Sequence, residues 1–166
     1  MTEQCGDRQA DRVADDTPRK DSMSPVSIAL IRSTFALATA DADAFTIAFY
    51  RRLFELAPSV RELFPQDLAE QRGKLAATLT AAVSLLDKPD TLVPVLQALG
   101  RRHLKYGAAV AHYPIVGQAL LDTFAARLGT AWTPAAKAAW TELYGVVATV
   151  MSEAQAGEAQ RIAALA

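Results

Sequence analysis

Prolines divide this chain into long segments in which apolar residues recur every three or four positions. Beyond residue 24 the prolines stand at positions 25, 58, 65, 89, 94, 114 and 134. The spacing of the apolar residues between them is that of one helical face, and proline favours the first turn of a helix. No segment alternates polar and apolar residues as a half-buried strand does. The sequence therefore predicts an all-α protein of six or seven helices.

Residues that can cap or begin a helix precede each of these segments. They are Ser24-Pro25, Asp41 or Asp43, Pro58, Asp67, Pro94, Pro114 and Thr133-Pro134. The run Lys88-Pro89-Asp90 is predicted to break the chain, so that a short helix begins at Pro94, ends near His103 and is closed by Gly107. Because the predicted helices differ in length, a regular four-helix bundle is not expected.

Length and charge exclude several classes of protein. The 166 residues suffice for one domain, and 51% hydrophobic residues are typical of globular proteins. The net charge is −1, from 17 basic and 18 acidic residues, so neither nucleic acid nor an anionic membrane is an expected partner. No apolar run reaches the roughly 18–20 residues of a membrane span. The charged N-terminus and the single Cys5 lead us to expect a cytoplasmic protein.

The chain divides into a charged tail and one folded domain. Ten of residues 1–23 are charged and few are apolar, which is typical of a disordered terminus. A partner-binding role for this tail is the alternative. Residues 24–166, which carry the helical pattern, are predicted to form the domain.

His103 lies in line with an apolar stripe on one helical face. The stripe has spacings of 4, 3 and 4 and consists of Leu92, Leu96, Leu99 and His103. Upstream, Tyr50 and Gln71 are polar groups on apolar faces, and Phe64 stands between their helices. One nitrogen ligand and two hydrogen-bond donors suit a buried iron that binds a gas. A core histidine is the alternative, because a single histidine on an apolar face is more often structural.

Four separated motifs surround these residues. They are Ala48-Phe49-Tyr50-Arg51-Arg52-Leu53-Phe54 with Pro58, Val60, Arg61, Leu63 and Phe64; Glu70-Gln71 with Lys74-Leu75; Arg102-His103 with Ala111-His112-Tyr113-Pro114-Ile115-Val116-Gly117-Gln118; and Tyr144-Gly145-Val146-Val147. Together they resemble the bacterial globins, above all the globin domain of the flavohaemoglobins and the single-domain bacterial haemoglobins. The resemblance covers about residues 26 to 155.

The resemblance implies a three-over-three globin fold that encloses one heme b. His103 would be the proximal iron ligand through Nε2, and its Nδ1–H would donate to a nearby acceptor. The carbonyl of Leu99, one turn earlier, is geometrically available as that acceptor. Phe64 would stack on the heme, with a core aromatic as the alternative. Lys74 and Arg102 are candidates to pair with the heme propionates, and solvated helix charges are the alternative for both.

The resemblance also implies a distal side formed by Tyr50, Gln71 and Leu75. Gln71 and Leu75 are four residues apart and share a helical face. Bound oxygen becomes partly negative at its outer atom, which a hydroxyl and an amide donor stabilise in a site of low dielectric constant. A hydrogen bond to a charged partner contributes about 1.5–3 kcal/mol, or roughly tenfold to hundredfold in affinity. The alternatives are a core tyrosine and a solvent-facing glutamine.

On the proximal side the family has a tyrosine and a glutamate that bond near the histidine. Tyr113 matches the tyrosine, whereas Gln155 stands at the position of the glutamate and Glu153 two residues earlier. Two residues turn a helical side chain by about 200°, so Glu153 cannot replace the glutamate without a shift of the helix. A neutral Gln155 would push less electron density to the iron. This departure favours reversible oxygen binding over nitric oxide dioxygenation.

Three functions are compatible with this pattern. The first is a heme globin that binds oxygen reversibly, for storage, scavenging or delivery. The second is a nitric oxide dioxygenase, which would need a separate reductase because the chain has no G-x-G-x-x-G or P-loop motif and lacks the flavin and nicotinamide domains of a flavohaemoglobin. The third is a globin-type sensor or interaction protein, with or without heme. A monomer or a homodimer fits each of them.

Overall fold

A computed structural model describes residues 23–165 of the protein, which form six α-helices and two short 3-10 helices. The α-helices are α1 (Pro25–Ala38), α2 (Ala42–Leu56), α3 (Ala69–Ser84), α4 (Pro89–Lys105), α5 (His112–Leu128) and α6 (Pro134–Ala163). The 3-10 helices are Pro58–Leu63, between α2 and α3, and Gly129–Ala131, between α5 and α6. The described residues contain no strand, so the all-α prediction is confirmed.

Three predicted capping side chains begin helices as expected. The Oγ of Ser24, the Oδ1 of Asp41 and the Oγ1 of Thr133 each accept a hydrogen bond from the amide three residues later, at 3.0, 2.9 and 3.2 Å. Such a cap satisfies one of the amides that a helix start leaves without a partner, and it contributes about 1 kcal/mol. Local sequence therefore fixes the starts of α1, α2 and α6.

The predicted start of α4 at Pro94 is wrong. The helix begins at Pro89, runs through Pro94 and ends at Lys105, so it is as long as α5 rather than short. Pro94 lacks an N–H and leaves the carbonyl of Asp90 without its helical partner. Both residues are exposed, so water can hydrogen-bond that carbonyl. A proline in the second turn therefore costs less here than in a buried helix.

The core lies between α1, α2, α5 and α6. Phe45 of α2 and Trp140 of α6 both pack against Phe124 of α5, with ring centroids 4.9 and 4.0 Å from that of Phe124. The indole Nε1–H of Trp140 donates to Oγ1 of Thr34 on α1 at 2.9 Å, so its polar edge is satisfied in the core. This core fixes the orientation of α2, which carries Tyr50 one turn beyond the buried Phe45.

A close approach between α4 and α6 sets the position of His103. A Cβ added at Gly100 would collide with the backbone carbonyl of Met151. The two helices can therefore approach to this distance only where α4 has a glycine. His103 follows Gly100 by three residues, within the same turn of α4.

The predicted charged tail, residues 1–23, lies outside the described residues except for Met23, which packs against the core. The predicted domain, residues 24–166, is described as far as Leu165. None of the helices within residues 23–165 combines the length and the apolar character needed to cross a lipid bilayer.

Candidate functional site

Tyr50 is buried in a group of aromatic rings at the inner side of α2. Its side chain is 4% exposed. The ring centroids of Phe49, Phe54 and Phe64 lie 5.1, 5.9 and 5.5 Å from its own. Burial raises the pKa of the Tyr50 phenol, and the side-chain amide of Gln71, on α3, partly opposes this rise. The structure therefore brings Tyr50, Gln71 and Phe64 together, and the phenol keeps its proton as a hydrogen-bond donor.

Arg61 holds the turn that carries Phe64, a role that the sequence did not reveal. Its guanidinium donates to the carbonyls of Phe64 at 3.0 Å, Pro65 at 2.9 Å and Gln66 at 3.1 Å. The same group lies 5.2 Å from the centroid of the Phe54 ring. Three carbonyls that follow a 3-10 helix are thereby satisfied. An arginine three residues before a predicted site aromatic was the only available signal.

His103 carries a neutral imidazole with one nitrogen free for a ligand. Its Nδ1 lies 2.9 Å from the carbonyl oxygen of Leu99, the acceptor that the one-turn spacing made available. A carbonyl only accepts hydrogen bonds, so Nδ1 carries the proton and Nε2 keeps its lone pair. Burial lowers the pKa of His103, and the charge of Arg102 lowers it further, against the opposing effect of the Leu99 carbonyl. The effects of Leu99 and Arg102 come from α4 itself.

The turn after His103 is fixed by a paired set of backbone hydrogen bonds. Gly107 has φ of 76°, a left-handed conformation that favours glycine. The amide of Gly107 donates to the carbonyl of Leu104, and the amide of Ala108 donates to the carbonyl of His103, both at 3.1 Å. This is the hydrogen-bond pattern of a Schellman motif. It confirms Gly107 as the predicted stop and fixes the orientation of the Ala108 carbonyl.

Gln155 links that turn to the ring beside His103. The hydroxyl of Tyr113 donates to Oε1 of Gln155 at 2.8 Å, and Nε2 of Gln155 donates to the carbonyl of Ala108. The ring centroids of His103 and Tyr113 are 6.2 Å apart, with their planes 23° from parallel. Gln155 is 4% exposed, whereas Glu153 faces solvent. The side chain near Tyr113 is therefore the neutral amide.

Tyr144 supports the same network from α6. Its hydroxyl donates to the carbonyl of Tyr113 at 2.6 Å. Its ring lies against Gly117, where an added Cβ would collide with it. Burial, as the main cause, raises the pKa of Tyr144 well above its usual range. Gly117 itself was the one signal for this contact, since glycine inside a helix often marks a close approach.

We call the space between the start of α3, on the distal side, and the end of α4, on the proximal side, the crevice. A Cβ added at Gly107 would lie 3.6 Å from Cδ2 of Leu63, which ends the first 3-10 helix. Glu70 raises the pKa of Lys74 on α3, and the charge of Tyr106, just beyond α4, adds to that rise. Residues from the two sides are thus neighbours at one end of the crevice.

The helical faces beside this crevice are apolar but incompletely covered. Gln71 and Leu75 on α3 are half-buried, as are Leu99 and His103 on α4. Val83 is the only buried residue of α3. An apolar helical face that the rest of the protein buries only in part indicates a binding surface for an apolar ligand. A flat ring system placed between α3 and α4 would meet this requirement.

Lys74 and Arg102, the predicted propionate partners, have protein neighbours of their own. Nζ of Lys74 lies 2.6 Å from Oε1 of Glu70, one turn earlier, and both side chains are exposed. Arg102 lines an open groove of about 540 Å³ between α4 and α6. The other charged residues of this groove are Arg101, Lys105, Glu158 and Arg161. The pairing of Lys74 and Arg102 with propionates stays a prediction.

A metal ion in the crevice would find one protein nitrogen, Nε2 of His103. Residues 23–165 contain no cluster of three or more His, Cys, Asp or Glu side chains that could hold a metal ion. An iron bound by a single histidine must bring its remaining ligands with it, as in a porphyrin. The donor set and the apolar faces of α3 and α4 therefore fit the same kind of group.

A comparison with known protein families shows which family this chain belongs to. Residues 47–151 match the family model described as Globin. The chain belongs to the globin family. The matched part of this globin runs from within α2 to within α6 and includes Tyr50, Gln71 and His103. The resemblance inferred from the sequence motifs is thereby confirmed, together with the all-α globin fold.

Individual relatives place this globin near the flavohaemoglobins. It is 34% identical to a flavohemoprotein of Bacillus subtilis over 125 residues, 74% of this chain and 31% of the relative. It is 32% identical to a flavohemoprotein of Rhodopirellula baltica over 131 residues, 77% of this chain and 32% of the relative. The chain thus spans about a third of the length of these relatives.

A solved structure is similar over its whole length. It is an engineered carbene transferase with one glutamine-to-valine substitution, made from a protein of Rhodothermus marinus that is named as a nitric oxide dioxygenase. This globin is 30% identical to it, with a TM-score of 0.73, over 87% of this chain and 99% of that chain. The roles of the site residues toward a bound cofactor stay predictions.

Proposed function

We propose that this globin binds heme b and holds oxygen reversibly, with His103 as the iron ligand and Tyr50 and Gln71 as donors to the gas. The observation that supports this most is the pairing of a buried phenol and an amide on one side of the crevice with a neutral imidazole in the same fold. The names of the relatives agree, since flavohemoproteins are named for heme.

Heme, when bound, would supply an iron atom that binds a diatomic gas. Nε2 of His103 would hold the iron, because the Leu99 carbonyl holds the proton at Nδ1. Leu75 and Leu99 would contribute apolar surface against the ring, and Phe64 would cover it at the turn held by Arg61. Leu75, Leu99 and Phe64 would exclude water from the part of the crevice that they cover.

Two distal donors control how long the gas stays bound. The buried Tyr50 keeps its hydroxyl proton because burial raises the pKa of the phenol. A phenol and an amide that both donate to a partly negative gas slow its release. Each such hydrogen bond contributes about 1.5–3 kcal/mol when its partner is charged. The pair therefore favours tight retention of oxygen over rapid exchange.

The neutral Gln155 favours reversible binding over oxygen activation. An amide both accepts from Tyr113 and donates to Ala108, so it satisfies two groups of opposite character. A carboxylate at the same position would set an acceptor against the Ala108 carbonyl, which costs free energy when buried. The local backbone thus selects an amide, and an amide pushes less electron density toward the iron than a carboxylate does.

Nitric oxide dioxygenation with a separate reductase is the second candidate. It is favoured by the likeness to the Rhodothermus marinus protein, whose name gives that activity. The same Tyr50 and Gln71 donors would then hold oxygen while nitric oxide reacts. In this case the neutral Gln155 predicts a lower rate than a glutamate would give. A reductase partner, a cytoplasmic location and a monomeric or homodimeric state all stay predictions.

One experiment separates these two functions. The reduced, heme-loaded protein is exposed to oxygen and then to nitrogen while its absorption spectrum is recorded. We expect the deoxygenated spectrum to return over many cycles. Oxygenated protein is then mixed with nitric oxide and re-reduced with a cell extract. Slow re-reduction supports an oxygen-binding protein, and re-reduction fast enough to sustain repeated nitric oxide consumption overturns it in favour of the enzyme.

A further inference from the structure

Positive side chains dominate the open groove between the C-terminal halves of α4 and α6. The groove has a volume of about 540 Å³, and Ala98 forms an apolar part of its wall. Its charged residues are Arg101, Arg102 and Lys105 of α4 and Glu158 and Arg161 of α6. Four cations thus face one carboxylate, and the net charge of the lining is +3.

The carboxylate of this groove is already bound within its own helix. Nε and Nη2 of Arg161 donate to the two oxygens of Glu158 at 2.9 and 2.7 Å, and the Glu158 side chain is 12% exposed. Arg161 is the main cause that lowers the pKa of Glu158, and the charges of Arg101 and Lys105 add to the effect. Glu158 is therefore ionised, and both of its oxygens have a partner.

The three cations of α4 have no such partner. Among residues 23–165, no carboxylate forms an ion pair with Arg101, Arg102 or Lys105. The C-terminal ends of α4 and α6 each offset about half a unit of positive charge through the helix dipole. About two units of positive charge in the groove therefore lack a counter-charge from the protein.

Helix stability alone does not explain this arrangement. Cations in the last turn of a helix are common because they interact favourably with its dipole. This accounts for Arg102 and Lys105 on α4 and for Arg161 on α6. It does not account for Arg101, which precedes the last turn of α4. Nor does it explain why the cations of two helices line the same groove.

The groove has the chemistry and the size for a small organic phosphate. The planar guanidinium group matches phosphate oxygens in a bidentate arrangement. A volume of about 540 Å³ lies in the range of small-molecule sites. A water molecule takes about 30 Å³ of liquid, so the groove has room for more than one phosphate group. Ala98 and the aliphatic stems of the arginines provide apolar surface for an organic part.

We propose that this groove is a binding site for a small organic phosphate with two or more negative charges, such as a nucleoside diphosphate. The phosphate groups would lie between Arg101 and Lys105 of α4 and Arg161 of α6, and the organic part would lie along Ala98. The bound ligand would join α4 to α6 at a second place besides the contact at Gly100. The site needs neither heme nor oxygen, so it stands apart from the proposed function.

Two variants change the charge of the groove in opposite directions, and a third is a matched control. Arg101→Gln removes one cation, and Glu158→Gln removes the carboxylate. Arg127→Gln makes the first change in the last turn of α5, at an exposed arginine outside the groove. Isothermal titration calorimetry at low ionic strength measures the binding of ADP and of adenosine to each purified protein. A hexaglutamate peptide and vesicles of phosphatidylcholine with phosphatidic acid are tested in the same way.

We expect ADP to bind and adenosine not to bind. The Kd for ADP should rise roughly fivefold in Arg101→Gln, which corresponds to about 1 kcal/mol, and it should fall by a similar factor in Glu158→Gln. Arg127→Gln should bind ADP as the natural protein does. Absence of ADP binding, or equal Kd values in all four proteins, overturns the proposal. Binding of the peptide or the vesicles without binding of ADP also overturns it, in favour of an acidic protein or a membrane.

Discussion

At the scale of single residues, the phenol of Tyr50 should determine how fast oxygen leaves. Tyr50→Phe removes the donor but keeps the ring among Phe49, Phe54 and Phe64. Loss of a hydrogen bond to a charged partner should speed oxygen dissociation by roughly tenfold to hundredfold. Stopped-flow displacement of oxygen measures this rate. An unchanged oxygen dissociation rate would show that Tyr50 is a core residue that does not bond the gas.

The control for that variant is Tyr106→Phe. Tyr106 is 66% exposed and lies beyond the end of α4. It loses the same hydroxyl, but at a place where water replaces the hydrogen bond. We expect its oxygen dissociation rate to equal that of the natural protein.

The pH dependence of oxygen release follows from the same burial. A phenol whose pKa is raised keeps its proton above the ordinary value of 10.0, so Tyr50 remains a donor. Its contribution is complete below pH 10 and is lost only as the pH rises through the higher, folded-state pKa. The oxygen dissociation rate should therefore stay constant from pH 7 to pH 10. A rise in that rate with a midpoint inside this range would contradict the assignment.

Gln155 offers a test of the proximal side. Gln155→Glu places a carboxylate between the Tyr113 hydroxyl and the Ala108 carbonyl, both of which now bond the amide. The added negative charge should lower the reduction potential of the bound heme iron and weaken the fold. Spectroelectrochemistry measures the potential. Gln97→Glu, on the exposed side of α4, is the matched control and should leave the potential unchanged.

At the scale of helices, local signals in the sequence predict where most elements begin and end. Ser24, Asp41 and Thr133 cap their helices through contacts only three residues long, so no tertiary information is needed. The predicted start of α4 at Pro94 was wrong because the free-energy cost of a proline inside a helix depends on whether the carbonyl left without its partner reaches water. That is a property of the folded chain, and the sequence around Pro94 does not contain it.

The supports of the site were harder to predict than the site itself. Tyr50, Gln71 and His103 stand out in the sequence because they interrupt apolar faces. Arg61 donates to backbone carbonyls, and Ala108 accepts through its own carbonyl. Every residue has a carbonyl, so the sequence does not show which carbonyls these contacts use. Helical periodicity predicted that Gln155, and not Glu153, lies near Tyr113. The reason for an amide there is the orientation of the Ala108 carbonyl, which is known only once the turn after α4 is seen.

The contact between α4 and α6 should depend on the absence of a side chain at one position. Gly100→Ala would drive a Cβ into the backbone of Met151, and backbone cannot move aside as a flexible side chain can. Overpacking of this kind typically costs about 1–3 kcal/mol, which should lower Tm by roughly 2–12 °C. Thermal unfolding followed by circular dichroism measures the change.

Gly73→Ala is the matched control for that contact. No atom lies within 4 Å of a Cβ added at Gly73, which is inside α3. Alanine there reduces the freedom of the unfolded chain, so this variant should be more stable than the natural protein by roughly 0.5–1 kcal/mol. Equal Tm values for both glycine variants would show that α4 and α6 do not touch as described.

At the scale of the whole molecule, the half-buried faces of α3 and α4 predict that ligand binding and folding are coupled. Val83 is the only buried residue of α3, so this helix has few apolar contacts of its own. A ligand that binds the folded state at a concentration 1,000 times its Kd stabilises it by about 4.1 kcal/mol. For a chain of this size that corresponds to a rise in Tm of roughly 8–16 °C.

Removal of heme should therefore lower Tm and loosen α3 before the other helices. Calorimetry of the heme-free and heme-loaded protein measures the first effect, and amide hydrogen exchange measures the second. Equal Tm values would support a globin that works without heme, as in the sensor or interaction alternative. Uniform exchange across all helices would show that α3 does not border the binding crevice.

The most direct test of the account is the absorption spectrum of the heme-loaded protein beside those of His103→Ala and His112→Ala. The natural protein and His112→Ala should show the same intense heme band at the blue edge of the visible, because the Nδ1 of His112 is bonded to the amide of Ala109 at 3.1 Å and its ring has no part in the site. His103→Ala should lose heme on gel filtration or show a changed band. An unaltered spectrum and undiminished heme retention in His103→Ala would contradict the account.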